Sequence, residues 1–206
     1  SASLEFGTGA RTMRETALIA SALLTLAAVQ NNDKVGGALF TDRIESWIAP
    51  AKGRNHAMRL LQEIIATRPT GNGSDLSLAL RSVGESLTRR GVVVVVSDFQ
   101  TAAYQRELAL AAKRHDVIAI RISDPMTENL PSFPLVRVTD PETGRALWLN
   151  GRSRRYRFEF EQFWTRQRRQ WMRECRRRGI SAIEIRTVDD VADRLISFFQ
   201  RRRATR

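Results

Sequence analysis

Five residues place oxygen atoms where a parallel sheet would offer them to a ligand. Asp98 directly follows the valine run Val92–Val96, in the step Ser97-Asp98-Phe99. Ser74 and Asp75 open a helical segment after the loop Thr70-Gly71-Asn72-Gly73, and Ser1 and Ser3 precede the first helix. Ligands of open α/β sheets bind outside the carboxyl ends of the strands. All five residues fall on that edge if the centre of the sheet is parallel. Hydroxyls and a carboxylate beside helix N-termini suit a hard divalent cation with octahedral oxygen ligands, Mg²⁺ or Mn²⁺. So few carboxylates leave the shell open, and a position remains for a ligand from outside. The two histidines do not serve an enzyme. His115 precedes the strand Val117–Ile122 and belongs on the edge opposite Asp98, and His56 starts a helix that follows a hairpin. This topology disfavours a Ser-His-Asp site.

The elements that must position these residues alternate between helical and strand-like patterns, the signature of an α/β sheet. Met13–Gln30 is apolar on nearly every face and predicts a deeply buried helix. Val35–Phe40 and Ile44–Ala49 flank a short turn and predict an antiparallel hairpin. His56–Thr67 and Asp75–Arg89 have apolar residues at helical spacing. The five consecutive valines predict a central parallel strand covered on both faces. Ala103–Arg114 follows as a helix and Val117–Ile122 as the next buried strand. Asp140-Pro141-Glu142-Thr143-Gly144 has turn chemistry and joins Leu135–Thr139 to Ala146–Leu149 in a second hairpin. Arg154–Arg178 is a long helix ended by Gly179. Ile180–Ile185 and Val188–Arg203 close the chain as strand and helix. Such a sheet needs a strand before its first helix, so the chain is expected to start just after that strand.

Composition narrows the classes. The chain has 206 residues, 42% hydrophobic and 27% charged, which describes one globular domain over 1–206 with a sizeable core. One cysteine, Cys175, excludes a disulfide framework. The apolar stretch Ala17–Val29 is too short to span a bilayer, and the opening residues carry no secretory pattern. The expected location is the cytoplasm, with any membrane anchor upstream. Net charge is +12, and the excess sits in residues 151–206, a basic helix-strand-helix part of the same domain. An Arg-rich stripe is ordinarily a solvated helix face, and can also bind phosphates or acidic partners.

The residues at the sheet edge resemble a known family. Ser1-Ala2-Ser3 is similar to the last three positions of the D-x-S-x-S motif of von Willebrand factor A domains. Gly73-Ser74-Asp75-Leu76 resembles their second loop, where the ligand is usually Thr, and Val95-Val96-Ser97-Asp98 resembles their third motif. Asn32-Asp33-Lys34-Val35-Gly36 with Leu39-Phe40, Arg114-His115-Asp116-Val117, Ser123-Asp124-Pro125 and the 140–144 turn resemble the bacterial "domain of unknown function 58" branch. The resemblance implies a doubly wound, mostly parallel sheet flanked by helices, von Willebrand factor A- or Rossmann-like, without its first central strand in this chain. It implies a metal-ion-dependent adhesion site with Ser1, Ser3, Ser74 and Asp98 as ligands, Asp98 directly or through water. The motif's first Asp is absent, which should weaken the metal. The implied function is a non-enzymatic interaction module that takes a Glu or Asp from a protein partner, and the implied partner class is a MoxR-type AAA+ ATPase.

Other readings stand beside this one. Ser74 and Asp75 are ordinary helix caps when taken alone. Asp33, Asp42, Asp116, Asp124 and Asp140 read as turn residues. The aromatic face from Tyr156 to Trp171 reads as core rather than a base-stacking platform. Cys175, between Glu174 and Arg176, reads as a half-buried thiol whose pKa its positive neighbours could lower. The alternative function is nucleic-acid binding through the Arg-rich C-terminal helices, which lack a reading motif. A serine hydrolase lacks the G-x-S-x-G elbow.

Overall fold

Three parallel strands carry the molecule, in the order Val92–Ser97, Asp116–Ser123, Ser181–Arg186. The computed structural model describes residues 11–204 except 72, 102, 131, 133 and 140–145. Helix α1 (Met13–Gln30) starts at a capping box of Thr12 and Glu15. The hairpin β1 (Val35–Phe40) and β2 (Ile44–Ala51) follows, then α2 (Arg54–Ala66) and α3 (Leu76–Ser86). Strand β3 (Val92–Ser97), helix α4 (Gln105–Arg114) and strand β4 (Asp116–Ser123) form the first crossover unit. A single turn, α5 (Pro125–Glu128), precedes the antiparallel hairpin β5 (Leu135–Thr139) and β6 (Ala146–Asn150). The chain ends with α6 (Arg154–Arg177), β7 (Ser181–Arg186) and α7 (Val191–Ala204). This is a mixed α/β fold of Rossmann-like character, a parallel sheet flanked by helices.

The two-residue period of β4 sorts the core into two layers. Val117 and Ala119 join Val93 and Val95 under Leu76, Leu80, Leu108, Trp171 and Cys175 from α3, α4 and α6. Ile118, Ile120 and Ile122 face the other way with Ile183 and Ile185, against Met13 and Ala20 of α1 and Val191, Leu195 and Phe198 of α7. Burying an aliphatic side chain of this size contributes roughly 1.5–3 kcal/mol. Helix α6 ends in a Schellman motif. Ile180 N–H donates to the Cys175 carbonyl at 2.9 Å and Gly179 N–H to that of Arg176 at 3.1 Å. Gly179 takes φ +70°, which a side chain would strain.

Four expectations are corrected. The valine strand is covered on both faces, but among the described residues it pairs only with β4, so β4 is the central strand. Helix α1 buries only Met13, Thr16, Ala20 and Thr25, and Leu26 is exposed. Its apolar composition exceeds the area that a three-stranded sheet and the neighbouring α2 and α7 can cover. On α6 only Trp171 and Cys175 are buried, whereas Phe158 and Phe163 are exposed and Tyr156, Phe160 and Trp164 half-buried. That helix packs on α5 and β7, and among the described residues its first turns are only partly covered. Asp124 is fully buried, not a solvated turn residue: it caps α5 at Met126 N–H (2.9 Å) and accepts from Thr187 Oγ1 at 2.7 Å. No helix among the described residues is long and apolar enough to cross a membrane.

Candidate functional site

The carboxyl end of β3 runs into a tight, strained loop. Ser97 and Asp98 are both buried. Asp98 Oδ1 accepts from the Gln100 backbone N–H at 3.2 Å and faces Ser97 Oγ at 3.4 Å. Ser97 Oγ in turn accepts from Phe99 N–H at 3.1 Å. Phe99 itself sits at φ +55° and Ala103 at φ +64°, a left-handed conformation that a bulky side chain adopts only when its surroundings compel it. For Phe99 the compulsion is packing: its ring lies 5.5 Å from that of Tyr104 and 5.1 Å from that of Trp171. The loop is thereby wedged into the α4–α6 side of the core, with the Asp98 carboxylate at its head.

The segment before α3 meets this loop. Thr101 Oγ1 donates to the Ser74 carbonyl at 2.6 Å, and Ser77 Oγ donates to the Ala103 carbonyl at 3.1 Å. Asp75 caps α3, its Oδ1 accepting from Leu78 N–H at 2.9 Å, and Asp75 N–H donates to the Thr41 carbonyl at 2.7 Å. The loops of Ser74 and Asp98 are therefore bonded neighbours on one rim. Ser1 and Ser3 lie outside the described residues. His115 stands at the start of β4, whose Asp116 pairs with Val92 at the start of β3. That puts it about 20 Å of strand away from Asp98. His56 Nε2 bonds the Val35 carbonyl at 2.9 Å. Neither histidine joins the rim.

Sequence reasoning missed two supports. Thr101 is one. The other is Glu45 on β2, whose Oε1 accepts from Thr41 Oγ1 (2.6 Å), Gly71 N–H (2.8 Å) and Thr70 N–H (3.0 Å), while Oε2 accepts from Thr70 Oγ1 (2.7 Å). These bonds, led by the Thr41 and Thr70 hydroxyls, hold its carboxyl down at about 2. Glu45 thus anchors the loop that leads to Ser74. Gly71 fits there because a Cβ would come within 2.3 Å of Thr41 Oγ1.

Beside Asp98 opens a cavity of about 600 Å³ between α4 and α6, walled by Phe99, Tyr104, Trp164, Trp171 and Gln167 among others. Its wall includes Cys175, whose thiol burial pushes up to about 11. The expected depression by Arg neighbours is corrected: Arg178 lowers the value, but loss of water outweighs it. Burial likewise pushes the Tyr104 phenol up to about 12.

Further along the rim the ends of β4 and β7 hold a closed charge cluster. Arg121, buried, pairs with Glu184 at 3.1 Å and Glu128 at 3.0 Å, and Arg168 reaches Glu184 at 3.3 Å. Burial, and then the nearby Glu184, raise the Glu128 pKa against the pull of Arg121.

The donor set at Ser74 and Asp98 is oxygen only, the chemistry of a hard cation. Among the described residues no three His, Cys, Asp or Glu side chains gather to hold a metal, so a centre at this rim must draw on hydroxyls, as the expected set does. Comparison with known proteins adds the following. A family model described as protein of unknown function DUF58 matches residues 1–170. An uncharacterized protein of Mycobacterium tuberculosis is 31% identical over 147 residues, covering 70% of this chain and 46% of its own length. An uncharacterized protein of Mycobacterium avium is 37% identical over 99 residues, covering 46% of this chain and 59% of its own. The chain therefore spans about half the length of the curated relatives it matches. Among solved structures, the conserved hypothetical protein BatB from Bacteroides thetaiotaomicron is similar in fold. Its TM-score is 0.60 at 14% identity, covering 98% of this chain and 93% of that one.

Proposed function

The chain belongs to the DUF58 family of proteins of unknown function, and we propose that it is a metal-ion-dependent protein-interaction module with a von Willebrand factor A-like site. The observation that carries the reading is the bond from Thr101 to the Ser74 carbonyl, which ties the second loop to the loop of Asp98. Ser74 and Asp98 would hold a Mg²⁺ or Mn²⁺ ion, with Ser1 and Ser3 completing the set. When bound, the ion supplies the charge that draws a carboxylate from a partner as its remaining ligand. Everything else is the work of this chain. Gln100 N–H and Ser97 Oγ fix the Asp98 carboxylate, and Glu45 and Thr41 set the approach of the Ser74 loop. The fixed backbone lowers the ordering cost of binding. The chain acts by binding, not by catalysis. Its resemblance in sequence to the "domain of unknown function 58" branch implies an AAA+ ATPase of the MoxR type as the partner class.

The test is titration of the full-length protein with Mn²⁺, followed by electron paramagnetic resonance. The reading expects one bound ion, weakened about tenfold or more in Asp98→Ala, which removes a charged ligand worth at least 1.4 kcal/mol. Affinity unchanged by Asp98→Ala overturns it.

A further inference from the structure

A second cleft lies at the other end of the sheet, over the edge strand β7 and between α6 and α7. It has a volume of about 360 Å³, and its lining includes Arg168, Arg169, Arg173, Arg176, Arg194 and Glu184. Arg169, Arg173 and Arg176 are spaced i, i+4 and i+7, so they form one stripe along α6. Like charges at this spacing disfavour a helix. Some arginines of the same helix are paired, Arg155 with Glu159 and Arg177 with Glu174, and the C-cap Arg178 also reaches Glu174. Arg169 and Arg176 have no carboxylate partner among the described residues.

Glu184 does not neutralise the stripe, because it is already engaged. Its Oε1 accepts from Arg121 at 3.1 Å and Ser123 at 3.2 Å, and its Oε2 from Arg168 at 3.3 Å. Its backbone carbonyl accepts from Arg194 Nη2 at 2.8 Å, and Arg194 also reaches Asp189 at 3.5 Å. Glu184 thus orients Arg168 and Arg194 toward the cleft from below, while three further guanidinium groups enter from α6. Two walls of a concave site are held in place, and the field between them is positive.

We propose that this cleft is a binding site for a small oligophosphate anion, free or carried on a nucleotide. Guanidinium groups pair with phosphate oxygens through two parallel N–H donors, and a run of linked phosphates carries several charges to match several arginines. The volume suits a nucleotide-sized ligand. The site is independent of the metal reading, since it uses other elements and the opposite charge.

The experiment is calorimetric titration of the full-length protein with sodium tripolyphosphate, and in parallel with ATP, at low salt without divalent ions. The expected result is one tripolyphosphate per chain, with affinity falling about tenfold or more in R169A/R173A/R176A. The control R59A/R81A/R106A removes the same charge from exposed arginines on α2, α3 and α4 and should change affinity less than about threefold. The single variant Arg173→Gln, expected to lose about threefold or more, serves if the triple variant does not fold. Binding of ATP as well assigns the phosphate to nucleotides; tripolyphosphate alone assigns it to free oligophosphate. Three results overturn the proposal: no binding, equal loss in both triple variants, or a short DNA duplex that needs the cleft arginines and is not displaced by tripolyphosphate.

Discussion

Two stretches of the same sheet rim are built from opposite materials. At the end of β3 the polar groups are hydroxyls, backbone N–H groups and one carboxylate, Asp98, held by Gln100 and Ser97. At the ends of β4 and β7 they are full charges, Arg121 and Arg168 against Glu128 and Glu184. The second set answers its own charges: two cations meet two anions, all within 4 Å. The first set brings a hydroxyl and a backbone N–H to a carboxylate. Paired full charges lock neighbouring strands and helices together, whereas carboxylate and hydroxyl oxygens are the ligands that a hard cation takes. The difference explains why the functional reading settles on β3, although the other cluster is richer in charge.

The comparison breaks most visibly at Arg121. Arg121→Ala leaves the buried Glu184 and the half-buried Glu128 without their main cation. It should cost about 3–5 kcal/mol, read as a lowered midpoint in urea denaturation. A loss below about 1 kcal/mol, the level of an exposed ion pair, would show that the cluster is solvated and the contrast false. On the other side of the rim the effects should be smaller and local. Thr101→Val removes the bond to the Ser74 carbonyl and should cost about 1 kcal/mol, with a several-fold weaker response to Mn²⁺. Unchanged metal affinity would separate Thr101 from the site.

Acid probes the same loop. The Glu45 carboxyl is held at about 2 against an ordinary 4.5, first by Thr41 and then by Thr70 and Gly71. A depressed carboxyl stabilises the fold fully above its unfolded value and loses that contribution as pH falls from about 4.5 through about 2. Amide exchange at Thr70 and Gly71, taken relative to the unfolded chain at each pH, should therefore rise across that window. In Glu45→Gln it should already be raised at neutral pH and lose this acid step. A wild-type profile flat below pH 4.5 would mean that the carboxylate does not hold the loop. The smallest expected effect is at Cys175. Its thiol, buried and pushed up to about 11, should ignore thiol reagents at pH 8 in the folded protein and react once urea exposes it. Rapid labelling of the native chain would contradict its place in the core.

Much of this architecture is legible in the residues, and the misses have physical causes. Cap chemistry marks two boundaries well: Asp75 before α3 and Gly179 after α6. The order of hydroxyl loop, helix and strand-terminal Asp is local information, and the loops that carry Ser74 and Asp98 do adjoin, through Thr101 and the Ser74 carbonyl. Other features depend on distant partners. The Arg121–Glu184 pair joins residues 63 positions apart through the register of β4 on β7, and no local pattern announces it. Glu45 reads as a surface residue until the 70–71 loop folds back onto its hairpin. An all-valine strand tells that both faces are covered, not whether a neighbour lies on each side. Apolar composition likewise overstated the burial of α1 and of the first turns of α6, because it does not report how wide the opposing sheet is. Cys175 shows the same limit in chemistry, since its sequence neighbours are charged while its spatial neighbours, Trp171, Phe99 and Ile180, are not.

The most direct test of the account is crystallography of the full-length protein with Mn²⁺, with anomalous diffraction collected at the manganese absorption edge. The account predicts an anomalous peak at the carboxyl end of β3, within coordination distance of Ser74 Oγ and bound to Asp98 directly or through one water. A structure in which manganese saturates the protein elsewhere while that rim stays without a peak would contradict it.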